Sequence, residues 1–187
     1  CHHVYYFYQF FTEQLEGMST RAFLIVILVL LISLFSFLAI SLQKDEVSPV
    51  KNQEGKPLIL DRDLYTIENT KVDKELLLKG KVLLNVYASY CTPCQVEHPF
   101  LMNISSSKDV KIIGISHKDQ ISETKKYLEK FGDPYDFSIL DLDGDFSLKL
   151  GVIGPPETFL IIDGKIVAHR IGVIDKNIWK EEFEKYF

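Results

Sequence analysis

Lys81-Val82-Leu83-Leu84-Asn85-Val86-Tyr87-Ala88-Ser89-Tyr90-Cys91-Thr92-Pro93-Cys94-Gln95-Val96-Glu97 decides the fold. Residues 81–88 form a near-continuous apolar run of the kind buried on both faces of a sheet. A turn follows, and Gln95 to Leu101 reads as a helix that opens with the second cysteine of a Cys-x-x-Cys pair. Downstream, Val110 to Ile115 is a second apolar strand. Gln120 to Phe131 has helical spacing at Ile121, Thr124, Leu128 and Phe131, and Gly132-Asp133-Pro134 stops it. This β-α-β-α alternation predicts parallel strands covered by helices. Thr158 to Ile162 and Lys165 to Arg170 flank Asp163-Gly164, a strong hairpin signal. A closing helix spans Asp175 to Tyr186 and buries Ile178, Trp179 and Phe183, while Leu58 to Leu60 reads as a strand ahead of the quoted stretch.

Outward from this block the chain is less uniform. It has 187 residues, 21 Lys+Arg against 26 Asp+Glu and a formal charge of -5, with no basic run longer than Lys125-Lys126. That balance argues against nucleic acid as a partner, because phosphate-tracking proteins concentrate positive charge on one face. Residues 22–42 carry no charge, Gly or Pro. About 20 apolar residues cross a bilayer core of roughly 30 Å. Ser41-Leu42-Gln43 is not an Ala-x-Ala cleavage site, so the stretch is expected to be an uncleaved single-pass anchor. Arg21 and Lys44 alone do not set its orientation. Residues 1–17 precede Met18-Ser19-Thr20-Arg21 and read as upstream translation or a fragment scar. The alternative is an N-terminal metal or lipid site at Cys1 and His2-His3. Residues 43–55 are polar and read as a tether, leaving 56–187 as one domain.

Cys91 stands at the start of a helix, where the positive end of the helix dipole and free N–H groups favour thiolate over thiol. Cys94, one turn on, is spaced to attack a mixed disulfide formed at Cys91 and release the product, with Pro93 stiffening the loop. Two plainer readings compete. A zinc site needs further ligands, for which only His98, His117 and His169 are candidates. A structural disulfide over so short a loop adds little stability. Gly151-Val152-Ile153-Gly154-Pro155-Pro156-Glu157-Thr158-Phe159 breaks the chain just before a strand, and its X-Pro bonds admit either a cis proline or an ordinary trans turn. Asp141, Asp143 and Asp145 with Gly144 lack the terminal Glu of a calcium loop and are expected to cap a short helix over 146–150. His117 and His169 read as surface or packing residues.

The block from Leu83 to Glu97, together with Gly151 to Phe159, resembles the DsbE/CcmG family, the membrane-anchored thiol:disulfide oxidoreductases of cytochrome c maturation. The likeness covers nearly all of residues 55–187, including Gly132-Asp133-Pro134-Tyr135 and Asn177-Ile178-Trp179. It implies a thioredoxin-like α/β fold, with a mixed central sheet flanked by helices behind a single transmembrane helix. It implies a periplasmic reductase on the bacterial inner membrane, without cofactor or metal. Its partners would be a membrane thiol-electron donor and apocytochrome c or a maturation assembly factor. By the same resemblance Cys91 is the attacking thiol and Cys94 the resolving thiol of a redox-active Cys91–Cys94 disulfide. Pro156 is the cis proline that presents substrate. Tyr90, Glu157 and Thr158 lie on the substrate side, and Glu97, Asn85 and Pro93 support catalysis.

Glu97 would perturb the thiols or relay a proton; the alternative is a solvated helix face. Asn85 occupies the position where ordinary thioredoxins carry a buried Asp and cannot itself accept a proton. The chain departs from the family's common pattern at Tyr90 (commonly Trp), at the order Thr92-Pro93, and at Ile153 (often aromatic). These departures bear on partner preference and leave the reacting atoms in place. Two other function classes compete: a redox-inert module that binds apocytochrome, and a general disulfide reductase or oxidant.

Overall fold

A computed structural model describes residues 19–43, 53–106 and 110–187 of the chain. Of the N-terminal tail expected at 1–21, residues 1–18 lie outside the described residues, as does the tether between 44 and 52, while Thr20 and Arg21 already belong to the first helix. Two compact units divide the chain near Lys51, and each is taken by itself.

The first unit contributes one helix, α1 (Thr20–Gln43). Its window Arg21–Leu38 has mean hydropathy 2.7 and no residue buried against protein. At about 1.5 Å per residue the helix is long enough to cross a bilayer core, which agrees with the anchor expected from its composition.

The second unit is built on a five-stranded sheet in the order β3-β2-β1-β4-β5. The strands are β1 (Lys81–Tyr87), β2 (Lys111–His117), β3 (Phe137–Asp141), β4 (Glu157–Ile162) and β5 (Lys165–Ile171). The first three run parallel, and β4 and β5 run antiparallel to their neighbours, so the sheet is mixed. Helices α2 (Glu75–Leu78), α3 (Thr92–Ser105), α4 (Ile121–Phe131) and α5 (Asp145–Leu150) cover it. The closing segment is helical in three pieces: α6 (Lys176–Ile178), a π-helical turn (Trp179–Phe183) and a 3₁₀ turn (Glu184–Tyr186).

Central β1 is buried from Val82 to Tyr87 because both faces are covered. Leu83 and Tyr87 join Leu101, Tyr127, Leu160 and Phe183 on the face that carries α3, α4 and the closing segment. Val82, Leu84 and Val86 join Leu77, Phe146 and Phe159 on the other. Each fully buried Leu or Ile contributes about 1.5–3 kcal/mol relative to exposure. Gly114 on β2 is required by close approach, since a Cβ there would stand 2.7 Å from both the Tyr87 ring and Ser138 Oγ. The hairpin turn forms at Asp163 and Gly164, with φ of 47° and 75°, as a two-residue primed turn demands.

Three sequence expectations need correction. Leu58–Leu60 is not a strand: Leu58 is buried, but Pro57 makes only an isolated bridge to Lys165, and proline has no N–H with which to extend a ladder. Phe137–Asp141, to which the sequence pattern assigns no element, is edge strand β3. The Gly55 N–H donates to Ile166 O at 2.8 Å, so the expected tether ends earlier than Gly55.

The acid-rich loop behaves as expected. Asp141 accepts the N–H groups of Phe146 (3.0 Å) and Ser147 (2.9 Å) and so caps α5.

Candidate active site

The chain leaves β1, turns, and enters α3 at the cysteine pair. Cys91 is the N-cap of α3, and its sulfur accepts the Cys94 N–H at 3.2 Å. Pro93 sits in the first turn, where its missing N–H has no helical partner to lose. The two sulfurs are joined, 2.11 Å apart with Cα atoms 5.3 Å apart. Cys91 is 6% exposed and Cys94 2%, so an incoming group meets Cys91 first. Tyr90 and Val96, on either side of the pair in sequence, are both exposed, as is Ile153. A cavity of 480 Å³ opens beside Tyr90 and Gln95 and is lined also by Lys126, Lys130 and Phe131.

Behind the pair lies a buried polar network. Glu97, one turn beyond Cys94, is 1% exposed, which rules out the solvated helix face. One carboxylate oxygen accepts Asn85 Nδ2 at 2.8 Å, and the other accepts the Ile174 N–H at 3.0 Å. The same Asn85 amide donates to Thr158 Oγ1 at 3.1 Å, and Asn85 Oδ1 accepts from Tyr135 Oη at 2.8 Å. Among the described residues no cation pairs with this carboxylate. Burial therefore dominates over the two hydrogen bonds and raises Glu97 from 4.5 to about 7. The amide at position 85 satisfies its neighbours without adding a second buried charge.

His98, next on α3, ties the helix to α4. Its Nε2–H donates to Gly132 O at 2.9 Å, and its Nδ1 accepts from Tyr127 Oη at 3.0 Å. Desolvation holds His98 below its ordinary value, which suits this tautomer. His117 is half-buried beside Asp141, at 3.8 Å.

The second wall comes from β4. Antiparallel pairing places Thr158 opposite Asn85 and Glu157 opposite Val86, so the loop before β4 and the turn after β1 emerge at the same end of adjacent strands. The Pro155–Pro156 bond in that loop is cis, and Pro156 O accepts the Gly172 N–H at 2.9 Å. Glu157 and Thr158 have no exposed surface, so the substrate-side contact expected of them is not available to their side chains. Glu157 turns inward and accepts the N–H groups of Ile153 (2.6 Å) and Gly154 (3.0 Å), and its other oxygen accepts His169 Nε2 at 2.9 Å. His169, read from sequence as a surface or packing residue, is packed and also bonded. Its ring stacks on Phe159 at 4.1 Å.

This arrangement can run dithiol–disulfide exchange: a capped attacking sulfur, a resolving sulfur one turn on, and a buried carboxyl group that titrates near neutrality.

Residues 44–186 match the Redoxin family. The chain is 38% identical over 164 residues to the thiol:disulfide interchange protein DsbE of Pseudomonas fluorescens biotype C, covering 87% of this chain and 91% of that one. It is 37% identical over 177 residues to DsbE of Escherichia coli K12, covering 84% and 95%. Among solved structures, a secreted Mycobacterium tuberculosis disulfide oxidoreductase aligns with TM-score 0.56 at 16% identity, covering 62% of this chain and 89% of that one. StoA of Bacillus subtilis aligns with TM-score 0.55 at 21% identity, covering 67% and 98%. These structures share the fold, which is thioredoxin-like. With that fold, the Cys91–Cys94 pair and this level of identity, the chain belongs to the DsbE family of thiol:disulfide interchange proteins and is a thiol:disulfide oxidoreductase.

Proposed function

We propose that the protein is a membrane-anchored, periplasmic reductase of cytochrome c maturation that reduces the Cys-x-x-Cys-His disulfide of apocytochrome c, or of a partner that handles it, before haem attachment. The observation that carries this reading is the Cys91–Cys94 disulfide at the N-terminus of α3 in a DsbE-family chain. Helix α1 supports placement at a membrane.

In the reduced state, the Cys91 thiolate attacks one sulfur of the target disulfide. The target's other sulfur leaves as a thiolate and takes up a proton. Cys94 then gives its proton to a base, and its thiolate attacks Cys91 Sγ. The remaining target sulfur departs and is protonated. Two electrons have passed to the target, which becomes a dithiol, and Cys91–Cys94 becomes the disulfide. Glu97 is the base for Cys94: it lies one turn away on the same helix face, and its value near 7 matches a proton acceptor at neutral pH. Asn85 orients it. Pro156 is itself buried, so it is the loop before it, with the exposed Ile153, and the exposed Tyr90 that receive the target's backbone and side chains. A membrane thiol donor returns the pair to the dithiol.

The test uses the reduced full chain in detergent micelles and compares its rates on a disulfide-bonded Cys-x-x-Cys-His peptide and on insulin. Fast reduction of the peptide with little action on insulin is expected. Comparable rates would make the protein a general reductase, and inertness toward both would make it a binding module.

A further inference from the structure

The loop from Ile153 to Pro156 carries the cis proline. Its amides at Ile153 and Gly154 both end on one oxygen of Glu157, while its far end is tied by the Gly172 N–H to Pro156 O at 2.9 Å, so the orientation of this carboxylate fixes the Ile153–Gly154 half of the loop. What fixes the carboxylate is His169 on β5, whose side chain is 1% exposed and whose Nε2 stands 2.9 Å from the second Glu157 oxygen. Two further contacts fix the histidine. Its ring lies on Phe159, tilted by only 10°, and its Nδ1 accepts the Gln53 N–H at 3.4 Å. With Nδ1 accepting, the ring proton sits on Nε2 and points at Glu157.

Gln53 also borders the loop directly. A Cβ on Gly151 would stand 2.4 Å from Gln53 Nε2, so the first described residue of the domain packs against the first residue of the segment that leads into the loop. The backbone around Gln53 is pinned to the hairpin by Gly55 N to Ile166 O and Leu58 N to Gly164 O, each 2.8 Å.

We propose that His169 is a positioning residue for disulfide exchange, holding the substrate-presenting loop in register through Glu157. This rests on the reading above that the loop at Pro156 receives the target's backbone. His169 touches neither cysteine nor target. Its effect is to keep the loop pre-organised, so that docking of a peptide does not first have to order it. A small disulfide that reaches Cys91 without lying along the loop gains nothing from this and is indifferent to His169.

The test compares the full chain in detergent micelles with H169F, which keeps a ring on Phe159 and loses the donor, and with H169Q, which keeps a donor near the Nε2 position and loses the ring. Substrates are the Cys-x-x-Cys-His peptide disulfide, insulin and bis(hydroxyethyl) disulfide. H169F is expected to raise KM for the peptide about tenfold, the scale of one lost hydrogen bond to a charged group. Its kcat for the peptide and its rate on the small disulfide should stay within about twofold of wild type. H169Q should recover most of the peptide KM, and amide exchange at Ile153 and Gly154 should quicken in H169F alone. Should H169F not fold, H169N takes its place, because its shorter amide does not reach Glu157.

An unchanged peptide KM in H169F, or equal losses on all substrates in H169F and H169Q, would overturn the proposal. A wild-type chain with no preference for the peptide over insulin would overturn the proposed substrate instead, and the comparison of H169F with wild type on insulin would still decide the role of His169.

Discussion

Glu97, behind the cysteine pair, and Glu157, at the root of the proline loop, are both carboxylates sealed from water, and they are held differently. Glu97 receives one side-chain amide and one backbone N–H. Glu157 receives two backbone N–H groups and an imidazole. A carboxylate surrounded by three donors is a structural clamp, since three of its roughly four lone-pair sites are used in holding chain. One with two donors and no cation is poised to change its charge, because desolvation is left uncompensated. The two acids, close to the same end of the sheet, thus divide the labour in the proposed mechanism: the first serves chemistry and the second serves geometry.

The hardest way to break this comparison is to remove the clamp. Glu157→Ala strands the Ile153 and Gly154 amides and the His169 ring N–H without a partner, and buried groups so stranded cost about 1–3 kcal/mol each. A loss of roughly 3–5 kcal/mol in urea unfolding is expected, with the peptide KM rising as well.

Asn85→Asp attacks the other acid. It replaces the donor 2.8 Å from Glu97 by a second carboxylate, and the pair can then hold only one charge. Unfolding at pH 5 and pH 8 should show a destabilisation of about 3 kcal/mol at the higher pH and much less at the lower.

Glu97→Gln sharpens the contrast without adding charge. Glu97 is raised from 4.5 to about 7, so the folded state binds its proton more tightly than the unfolded state. The stability this provides is full below about pH 4.5 and is lost as pH rises through about 7. The Gln variant should lack that downward slope, worth about 3 kcal/mol over the interval, as read from denaturation at several pH values.

The smallest effect is expected outside both acids. Tyr90→Ala removes an exposed ring and should change the peptide KM by only about threefold, with melting temperature unchanged, as befits one contact near the rim of a docking surface.

Much of this arrangement was legible in the sequence, and the rest failed for identifiable reasons. The apolar run of β1, the cysteine pair and the Asp163-Gly164 turn are local signals, and each appears where its residues predict. Strand β3 hid because Gly132-Asp133-Pro134 and the acidic loop after Leu140 bracket five residues with punctuation, and its pairing to β2 is non-local. The resemblance implied an acidic role for Glu97, but its burial depends on Asn85 and Ile174, which lie 12 and 77 residues away.

The role of His169 was masked by register. A regular hairpin about Asp163-Gly164 would set His169 opposite Thr158. The irregularity between Leu160 and Ile161 sets it opposite Phe159 instead, on the face that also carries Glu157. A one-residue shift reverses the face of every side chain beyond it, and nothing local in the sequence announces that shift.

The most direct measurement is single-turnover reduction of the Cys-x-x-Cys-His peptide by the reduced full chain, from pH 5 to pH 9, in the wild type and in Glu97→Gln. The wild-type rate should rise through an inflection near 7 that is absent from the variant, which should be roughly 10²-fold slower at neutral pH. Superimposable profiles in the two proteins would contradict the assignment of Glu97 as the base for Cys94, and a peptide left oxidised by the wild type would contradict the proposed reductase.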